Sequence, residues 1–139
     1  MSFLLDTNVI SELRKKPGVV DSRVLEWATA LSSGDACISV ITVMEIELGI
    51  ARVEGRDAAQ GAVLRNWLEK QVLVGFSGRV LPVDVPVARR AALLHVPDPR
   101  PERDAFIAAT AAVHGLTVAT RNVADFQPTG VAAVNPWEA

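Results

Sequence analysis

Short apolar segments alternate with helical segments along this chain, and that alternation constrains the fold more than any other feature. Segments with the apolar or β-branched composition of buried strands are residues 3–6, 36–40, 79–84, 116–120 and 131–134. Apolar periodicity and capping residues predict helices between them, at residues 8–16, 19–31, 42–53, 57–74, 86–95 and 104–114. Strands separated by helices form a mostly parallel sheet covered on both faces. We therefore predict a three-layer α/β/α sandwich in which residues 1–139 form one domain.

Punctuating residues mark the ends of several of these elements. Asn8 is the predicted N-cap of the first helix, and Gly115 is the predicted C-cap of the helix at residues 104–114. The segment 97–101 reads Pro-Asp-Pro-Arg-Pro and cannot be helical, because each proline disfavours α geometry in the preceding residue. Residues 121–130 are also predicted to form a loop.

The composition excludes several classes of protein. Half of the 139 residues are hydrophobic, which is typical of a globular domain. The formal charge of −2 gives no overall positive field, so binding of nucleic acid needs local basic residues. Cys37 is the single cysteine, which excludes an intrachain disulfide framework and permits a reducing compartment. The N terminus lacks the features of a signal peptide, and no apolar run reaches the roughly 18 residues of a membrane span. We expect a cytoplasmic protein without a membrane partner.

Four acidic residues lie beside apolar segments at widely separated points of the chain. Asp6 ends the first strand, and Asp125 lies in the loop after the fourth. Glu45 lies near the start of the helix that follows the second strand, and Asp104 opens another helix. Ligands of open α/β sheets bind beyond the carboxyl ends of the strands. The topology therefore predicts that all four carboxylates lie near one edge of the sheet.

Each acid also has a purely structural interpretation. Asp6 could cap the first helix together with Asn8. Glu45 has the spacing from Thr42 of a capping box, in which its side chain would return to the threonine N–H. Asp104 could be a first-turn acid favoured by the helix dipole, and the fourth acid could be an ordinary turn residue. The four taken together are harder to explain in this way than any one alone.

A group of four carboxylates favours a hard divalent cation. Like charges repel, so either some of the acids hold protons or a cation enters. Oxygen ligands favour Mg²⁺ or Mn²⁺ over zinc. Such a site suits hydrolysis of a phosphodiester, because metal ions activate water and neutralise charge on the phosphate oxygens.

Other catalytic chemistries have little support in the sequence. His95 and His114 lack the spacing of metal ligands, and a capping role suits His114 beside Gly115. Cys37 lies in an apolar run and is more typical of a small core residue than of a nucleophile. The glycines form no phosphate-binding loop.

The segments around the four acids resemble the motifs of the PIN domain, particularly those of the VapC-like and FitB-like toxins of bacterial toxin–antitoxin pairs. The first motif is matched by residues 5–13, which read LDTNVISEL, and the second by residues 41–50. The third and fourth are matched by residues 103–111 and 120–126. The matches come in the order of the family and span nearly the whole chain.

This resemblance implies a Mg²⁺- or Mn²⁺-dependent endoribonuclease. The implied catalytic and metal-binding residues are Asp6, Glu45, Asp104 and Asp125. The implied supporting residues are Thr7, Asn8, Thr120 and Asn122. Arg14 and Arg121 could contact RNA phosphates.

The resemblance also implies two protein partners. One is a second copy of the chain in a homodimer, and the other is a cognate antitoxin whose tail fills the acidic groove. Apolar residues on the helices after the second strand could anchor that tail or could simply form the core: Val43, Ile46, Ile50, Trp67 and Leu68.

Two further functions compete with RNA cleavage. The chain could be a non-catalytic binding module whose acidic groove holds a basic segment of a partner. It could also be a receiver-like phosphoacceptor domain, which would need adjacent acids after the first strand and a late lysine. Asp6 stands alone and no lysine follows Lys70, so the receiver-like alternative is disfavoured.

Overall fold

Five short strands form one parallel sheet in the computed structural model, which describes residues 2–139. The strands are β1 (Phe3–Leu5), β2 (Ala36–Ser39), β3 (Val80–Leu81), β4 (Thr117–Ala119) and β5 (Ala133–Val134). Their order across the sheet is β3-β2-β1-β4-β5, and every neighbouring pair is parallel. The predicted α/β class with a parallel central sheet is confirmed.

Helices connect these strands. They are α1 (Thr7–Leu13), α2 (Ser22–Thr29), α3 (Val40–Glu54), α4 (Ala58–Trp67), α5 (Leu73–Gly75), α6 (Val85–Leu94), α7 (Glu102–His114) and α8 (Val123–Phe126). A π-helical turn, Leu68–Val72, joins α4 to α5, and 3₁₀ turns cover Gln127–Thr129 and Pro136–Glu138. Within residues 2–139, none of the helices has both the length and the apolar character that crossing a bilayer would need.

Alternating side chains of the central strand β1 enter separate parts of the core. Phe3 and Leu5 belong to a cluster formed with α1, α2, α3 and the π-helical turn. Leu4 belongs to a second cluster with Ile107 of α7 and Phe126 of α8. Successive side chains of a strand point to opposite faces of its sheet, so helices cover both faces as the three-layer prediction requires.

Each of the first three helices is capped by an acidic or hydroxyl side chain that accepts a hydrogen bond from a backbone N–H. Asp6, not Asn8, caps α1 and accepts the N–H of Thr7, so the prediction of Asn8 as the cap was wrong. Asp21 caps α2 by accepting two N–H groups, which delays that helix to three residues beyond the predicted residue 19. Ser39 caps α3, which therefore begins before Thr42.

Several predicted elements are shorter or more divided than the sequence indicated. The strand predicted for residues 79–84 has two residues, because Asp84 caps α6 through the Val87 N–H. The helix predicted for residues 57–74 is divided into α4, the π-helical turn and α5, which follow one another along the chain without an intervening loop. Residues 121–130 contain α8 and a 3₁₀ turn, so the prediction of a plain loop was wrong. The predicted C-cap at Gly115 is confirmed, with φ of 66°.

Helices α3 and α4 pack very closely at Gly61. A Cβ atom added at Gly61 would lie 2.5 Å from Cγ and 2.9 Å from Cα of Glu54. Arg65 of α4 links the same helices by ion pairs of 2.8 Å to Glu47 and 3.0 Å to Glu54. Glu47 is half-exposed and paired with Arg65.

Candidate active site

Asp6 is fixed at the carboxyl end of β1 by hydrogen bonds to both of its carboxylate oxygens. Oδ1 accepts the N–H of Thr7 at 2.9 Å, and Oδ2 accepts the hydroxyl of Thr120 at 2.8 Å. Asn8 donates weakly to Oδ2 of Asp6 at 3.4 Å and to Oγ1 of Thr120 at 3.3 Å. Thr120 follows β4, the parallel neighbour of β1, so the sheet itself brings these residues together.

Glu45 is held at the same edge by the residue that follows Asp6. The hydroxyl of Thr7 donates to Oε1 of Glu45 at 2.7 Å, and the Thr42 hydroxyl lies 3.4 Å from that of Thr7. The capping-box interpretation of Glu45 was wrong, because Ser39 caps α3 and places Glu45 in the second turn. Oε2 of Glu45 lies 3.7 Å from the guanidinium of Arg103.

Asp104 lies half-buried in the first turn of α7. Burial raises the pKa of this carboxyl most, and the negative charges of Asp6, Asp125 and Glu45 raise it further. Hydrogen bonding has no part in that pKa shift. A cation close to this carboxylate would relieve that repulsion.

Asp125 lies in α8, the short helix that follows β4. It is exposed, and its N–H bonds to the carbonyl of Asn122 at 3.0 Å. The N–H of Asn122 in turn donates to the Thr120 hydroxyl at 3.0 Å. This chain of bonds connects Asp125 to Asp6 through the backbone after β4.

The four acids act on one another electrostatically. Burial raises the pKa of Asp6, the hydrogen bonds from Thr120 and Thr7 lower it, and the charges of Glu45 and Asp125 raise it again. The net result is a raised pKa. We name the group Asp6, Glu45, Asp104 and Asp125 the acidic site.

The chemistry of the acidic site fits a divalent cation. Its donors are all carboxylate oxygens, the type that Mg²⁺ and Mn²⁺ prefer, and their mutual repulsion is relieved by positive charge. Among residues 2–139, no three Asp, Glu, His or Cys side chains stand in a ready-made metal-binding cluster. The four carboxylates of the acidic site influence one another's charge but do not form a closed cage.

Replacing Asp104 with asparagine should stabilise the metal-free protein at neutral pH, and the gain should shrink in acid. The folded carboxyl keeps its proton at pH values where the unfolded one, with a pKa near 3.8, has lost it. Stability contributed by this group is therefore complete below about pH 3.8 and falls as the pH rises through the folded pKa. Urea unfolding of both proteins in chelator, from pH 4 to 8, measures the difference.

The matched control for this experiment is Asp98→Asn, which removes an exposed charge from the proline-rich loop. It should change stability little at any pH. A stability difference for Asp104→Asn that did not vary with pH would contradict the raised pKa.

The two arginines predicted to contact RNA each share a pocket with one acid of the acidic site, Arg14 with Glu45 and Arg121 with Asp125. The Arg14 guanidinium lies 5.9 Å from the Trp67 ring centroid, and Arg121 lies 5.1 Å from that of Trp137. Sequence reasoning missed Trp137 and Arg103. Arg103 directly precedes Asp104, so its proximity to the acidic site could have been inferred.

The two histidines and the cysteine do not join the acidic site. Nδ1 of His95 accepts the N–H of Arg100 at 3.0 Å, and His114 is exposed at the end of α7. Cys37 is half-buried, and burial raises the pKa of its thiol, which makes a thiolate nucleophile unfavourable.

A groove of about 250 Å³ runs from Thr7 and Glu45 along α3 and α4. Its walls include Arg14, Gly49 and Trp67. Of the apolar residues predicted as anchors or core, Ile46, Ile50 and Leu68 are buried in the core, whereas Val43 and Trp67 are only half-buried. Ile46, Ile50 and Trp67 also line the groove, so the two interpretations overlap.

Comparison with known proteins agrees with the motif resemblance. A family model of the PIN domain matches residues 3–127. The chain is 43% identical to Toxin FitB of Neisseria gonorrhoeae, over 97% of this chain and 98% of that toxin. It is 39% identical to VapC ribonuclease Y4jK of Sinorhizobium fredii, over 98% of each protein.

Solved structures show the same fold. The crystal structure of FitAcB from Neisseria gonorrhoeae is similar, with a TM-score of 0.88 at 41% identity over 99% of both chains. A structure of FitAB bound to an IR36 DNA fragment gives 0.87 at 38% identity, over 97% of this chain and 95% of that one.

Proposed function

The chain belongs to the PIN domain family, and from that premise we propose that it is a metal-dependent endoribonuclease that hydrolyses RNA phosphodiester bonds. The observation that carries the proposal is the acidic site, in which burial and then the charges of three other carboxylates raise the pKa of Asp104. A relative named as a VapC ribonuclease, similar over nearly its whole length, supports the same reaction.

Asp6 and Asp104 would bear most directly on Mg²⁺ or Mn²⁺, with Glu45 and Asp125 completing the site. The ion, when bound, supplies an activated water and neutralises charge on the phosphate oxygens. Thr120 and the Thr7 N–H orient the Asp6 carboxylate. The Thr7 hydroxyl does the same for Glu45, and Asn8 and Asn122 brace Thr120.

The purified chain should cleave single-stranded RNA with Mg²⁺ or Mn²⁺, and chelation should abolish cleavage. The same ions should raise the thermal midpoint of the wild-type protein but not that of Asp104→Asn, since the ion binds the folded acidic site. The two readouts separate catalysis from metal binding. Cleavage that persists in excess chelator would contradict the proposal.

The alternative, a non-catalytic module that holds a basic segment, gives a different result in the same experiment. Such a module would bind a basic peptide at the acidic site but would leave RNA intact at any metal concentration. Cleavage that is lost on chelation, in protein free of contaminating nuclease, excludes this alternative.

We also propose that the chain is the toxin of a toxin–antitoxin pair. FitB is named as a toxin, and solved structures similar to this chain include FitAB and VapBC assemblies. The groove along α3 and α4 opens at Glu45, so a cognate antitoxin could occupy it and cover the acidic site. Expression of the wild-type chain should arrest growth, and Asp104→Asn should not.

A homodimer remains part of the proposal. Helices α6 and α7 expose Val85, Leu93 and Val113 around a pocket of about 420 Å³, and such apolar exposure is typical of an interface. Light scattering should give twice the chain mass of 14.9 kDa. A monomer at micromolar concentration would contradict the dimer and leave the nuclease proposal intact.

A further inference from the structure

A second pocket adjoins the acidic site where strands β4 and β5 end. Its volume is about 520 Å³, within the range of roughly 300–1,000 Å³ usual for ligand sites. Its lining is mainly polar and includes Arg121, Asn122, Asp125, Ala133, Asn135 and Glu138. We call it the C-terminal pocket.

Local hydrogen bonds hold the two walls of this pocket in place. The N–H of Thr120 donates to the carbonyl of Val134 at 2.9 Å, which joins the ends of β4 and β5. Oδ1 of Asn135 accepts the N–H of Trp137 at 2.9 Å, and its amide group donates to the Arg121 carbonyl at 3.5 Å. The Trp137 side chain is buried in the core, so the C-terminal turn is anchored.

Arg121 presents an available cation at this pocket. Its guanidinium stacks over the Trp137 ring at 5.1 Å, although its side chain is exposed. Among residues 2–139, no carboxylate forms an ion pair with it, unlike Arg65 and Arg103. A stacked guanidinium keeps its N–H donors free, and those donors match a phosphate in bidentate geometry.

The C-terminal pocket and the acidic site share a wall. Asp125 belongs to both. Asn122 lines the C-terminal pocket, and its N–H donates to the Thr120 hydroxyl. Thr120 in turn holds Asp6. A strand of RNA with its reacting phosphate at the carboxylates would therefore place a neighbouring nucleotide in this pocket.

We propose that the C-terminal pocket binds the ribonucleotide next to the cleaved bond and determines which base is accepted there. This inference rests on the proposed ribonuclease function. Arg121 binds the phosphate of that nucleotide, and the exposed amide of Asn122 contacts the base edge. RNA recognition commonly uses bases that are splayed out of single strands in this way.

The first test measures binding without cleavage. Wild-type protein and Arg121→Ala are titrated into a labelled single-stranded RNA octamer of mixed sequence, in chelator and at several salt concentrations. Arg121→Ala should bind about tenfold more weakly, because it loses a charge-assisted contact. The slope of log affinity against log salt should fall by about 0.7, the value for one single-strand phosphate.

Two variants control this measurement. Arg56→Ala removes an equal charge from the exposed turn between α3 and α4, outside the C-terminal pocket, and should bind like the wild type. Arg121→Lys keeps the charge without the guanidinium fork, so it should keep the salt slope and recover only part of the affinity. Equal affinity and salt slope for Arg121→Ala and the wild type would overturn the phosphate contact.

The second test sequences the ends of RNA cut by the wild-type protein and by Asn122→Ala. The wild type should favour particular bases at one position flanking the cut, and Asn122→Ala should relax that preference at the same position. Cleavage with no flanking preference, or with one that Asn122→Ala leaves unchanged, would overturn the role in base selection.

The two tests separate this proposal from the function it rests on. If Arg121→Ala binds RNA with the wild-type affinity and Asn122→Ala cuts RNA at the wild-type sites, the protein is a ribonuclease without this subsite. A protein that binds RNA through Arg121 but never cuts it keeps the phosphate contact and loses the proposed reaction. If a protein tail, but not RNA, bound at Arg121, the pocket would belong to a protein partner and the proposal would be overturned.

Discussion

Replacing Asp104 with asparagine is expected to lower the rate of RNA cleavage about 10³-fold while the protein stays folded. The substitution keeps the size of the side chain but removes one of the carboxylates that converge at the acidic site. Metal ions supply several kcal/mol of charge stabilisation in such reactions, and each 1.36 kcal/mol corresponds to about a tenfold change in rate. Single-turnover cleavage of a labelled RNA at saturating Mg²⁺ measures the loss.

The control for this prediction is again Asp98→Asn, which makes the same chemical change on the exposed proline-rich loop. It should cleave RNA at the wild-type rate. Because Asp104→Asn is expected to be at least as stable as the wild type at neutral pH, unfolding cannot account for a loss of activity. Wild-type activity of Asp104→Asn at saturating Mg²⁺ would refute the assignment of Asp104 to the reaction.

Replacing Gly61 with alanine is expected to destabilise the protein by about 1–3 kcal/mol, the usual cost of overpacking. The new Cβ would lie 2.9 Å from Cα of Glu54, and a backbone atom cannot move aside as a side chain can. Helix α4 would have to move away from α3, which would also loosen the ion pairs of Arg65 with Glu47 and Glu54. Urea unfolding with an unchanged m-value measures the loss.

Gly49→Ala is the matched control, because it makes the same change within a helix where no atom lies within 4 Å of the added Cβ. It should stabilise the protein by roughly 0.5–1 kcal/mol, since alanine is the better helix former. The prediction concerns the difference between these two variants. If both changed stability by the same amount, close packing at Gly61 would not be the cause.

The fold class was predictable because it depends on signals that are local in the sequence. Apolar runs, β-branched residues and breaks such as Gly115 indicate strands and helices separately, and their alternation implies the parallel sheet. The positions of the acids relative to the strand ends then predicted that the four carboxylates lie near one edge of the sheet. No interaction between distant residues had to be known for these steps.

The errors in the predicted helix caps came from hydrogen bonds whose partners lie far away in the sequence. Asn8 has the chemistry of a cap, but its side chain turns to Thr120, more than a hundred residues later, and Asp6 takes the capping role. Thr42 and Glu45 have capping-box spacing, but Glu45 bonds to Thr7 instead. In both cases a tertiary hydrogen bond replaced a local one.

Short elements escaped prediction for a different reason. Helix α8 has four residues, too few to show a helical period, although it carries Asp125. The C-terminal turn has three residues, and nothing around Trp137 indicates that its ring supports Arg121. The C-terminal pocket therefore became visible only with the three-dimensional structure.

The placement of β1 between β2 and β4 has a consequence during synthesis of the chain on the ribosome. Asp6 emerges before Thr120, whose hydroxyl holds one of the Asp6 oxygens and follows 114 residues later. A nascent polypeptide therefore lacks the bond that holds Oδ2 of Asp6 until the segment after β4 has emerged, and contacts of such long sequence separation form late in folding. If this chain cuts RNA, its ribosome and messenger are exposed to an assembled enzyme only after β4 and the segment that follows it have been synthesised.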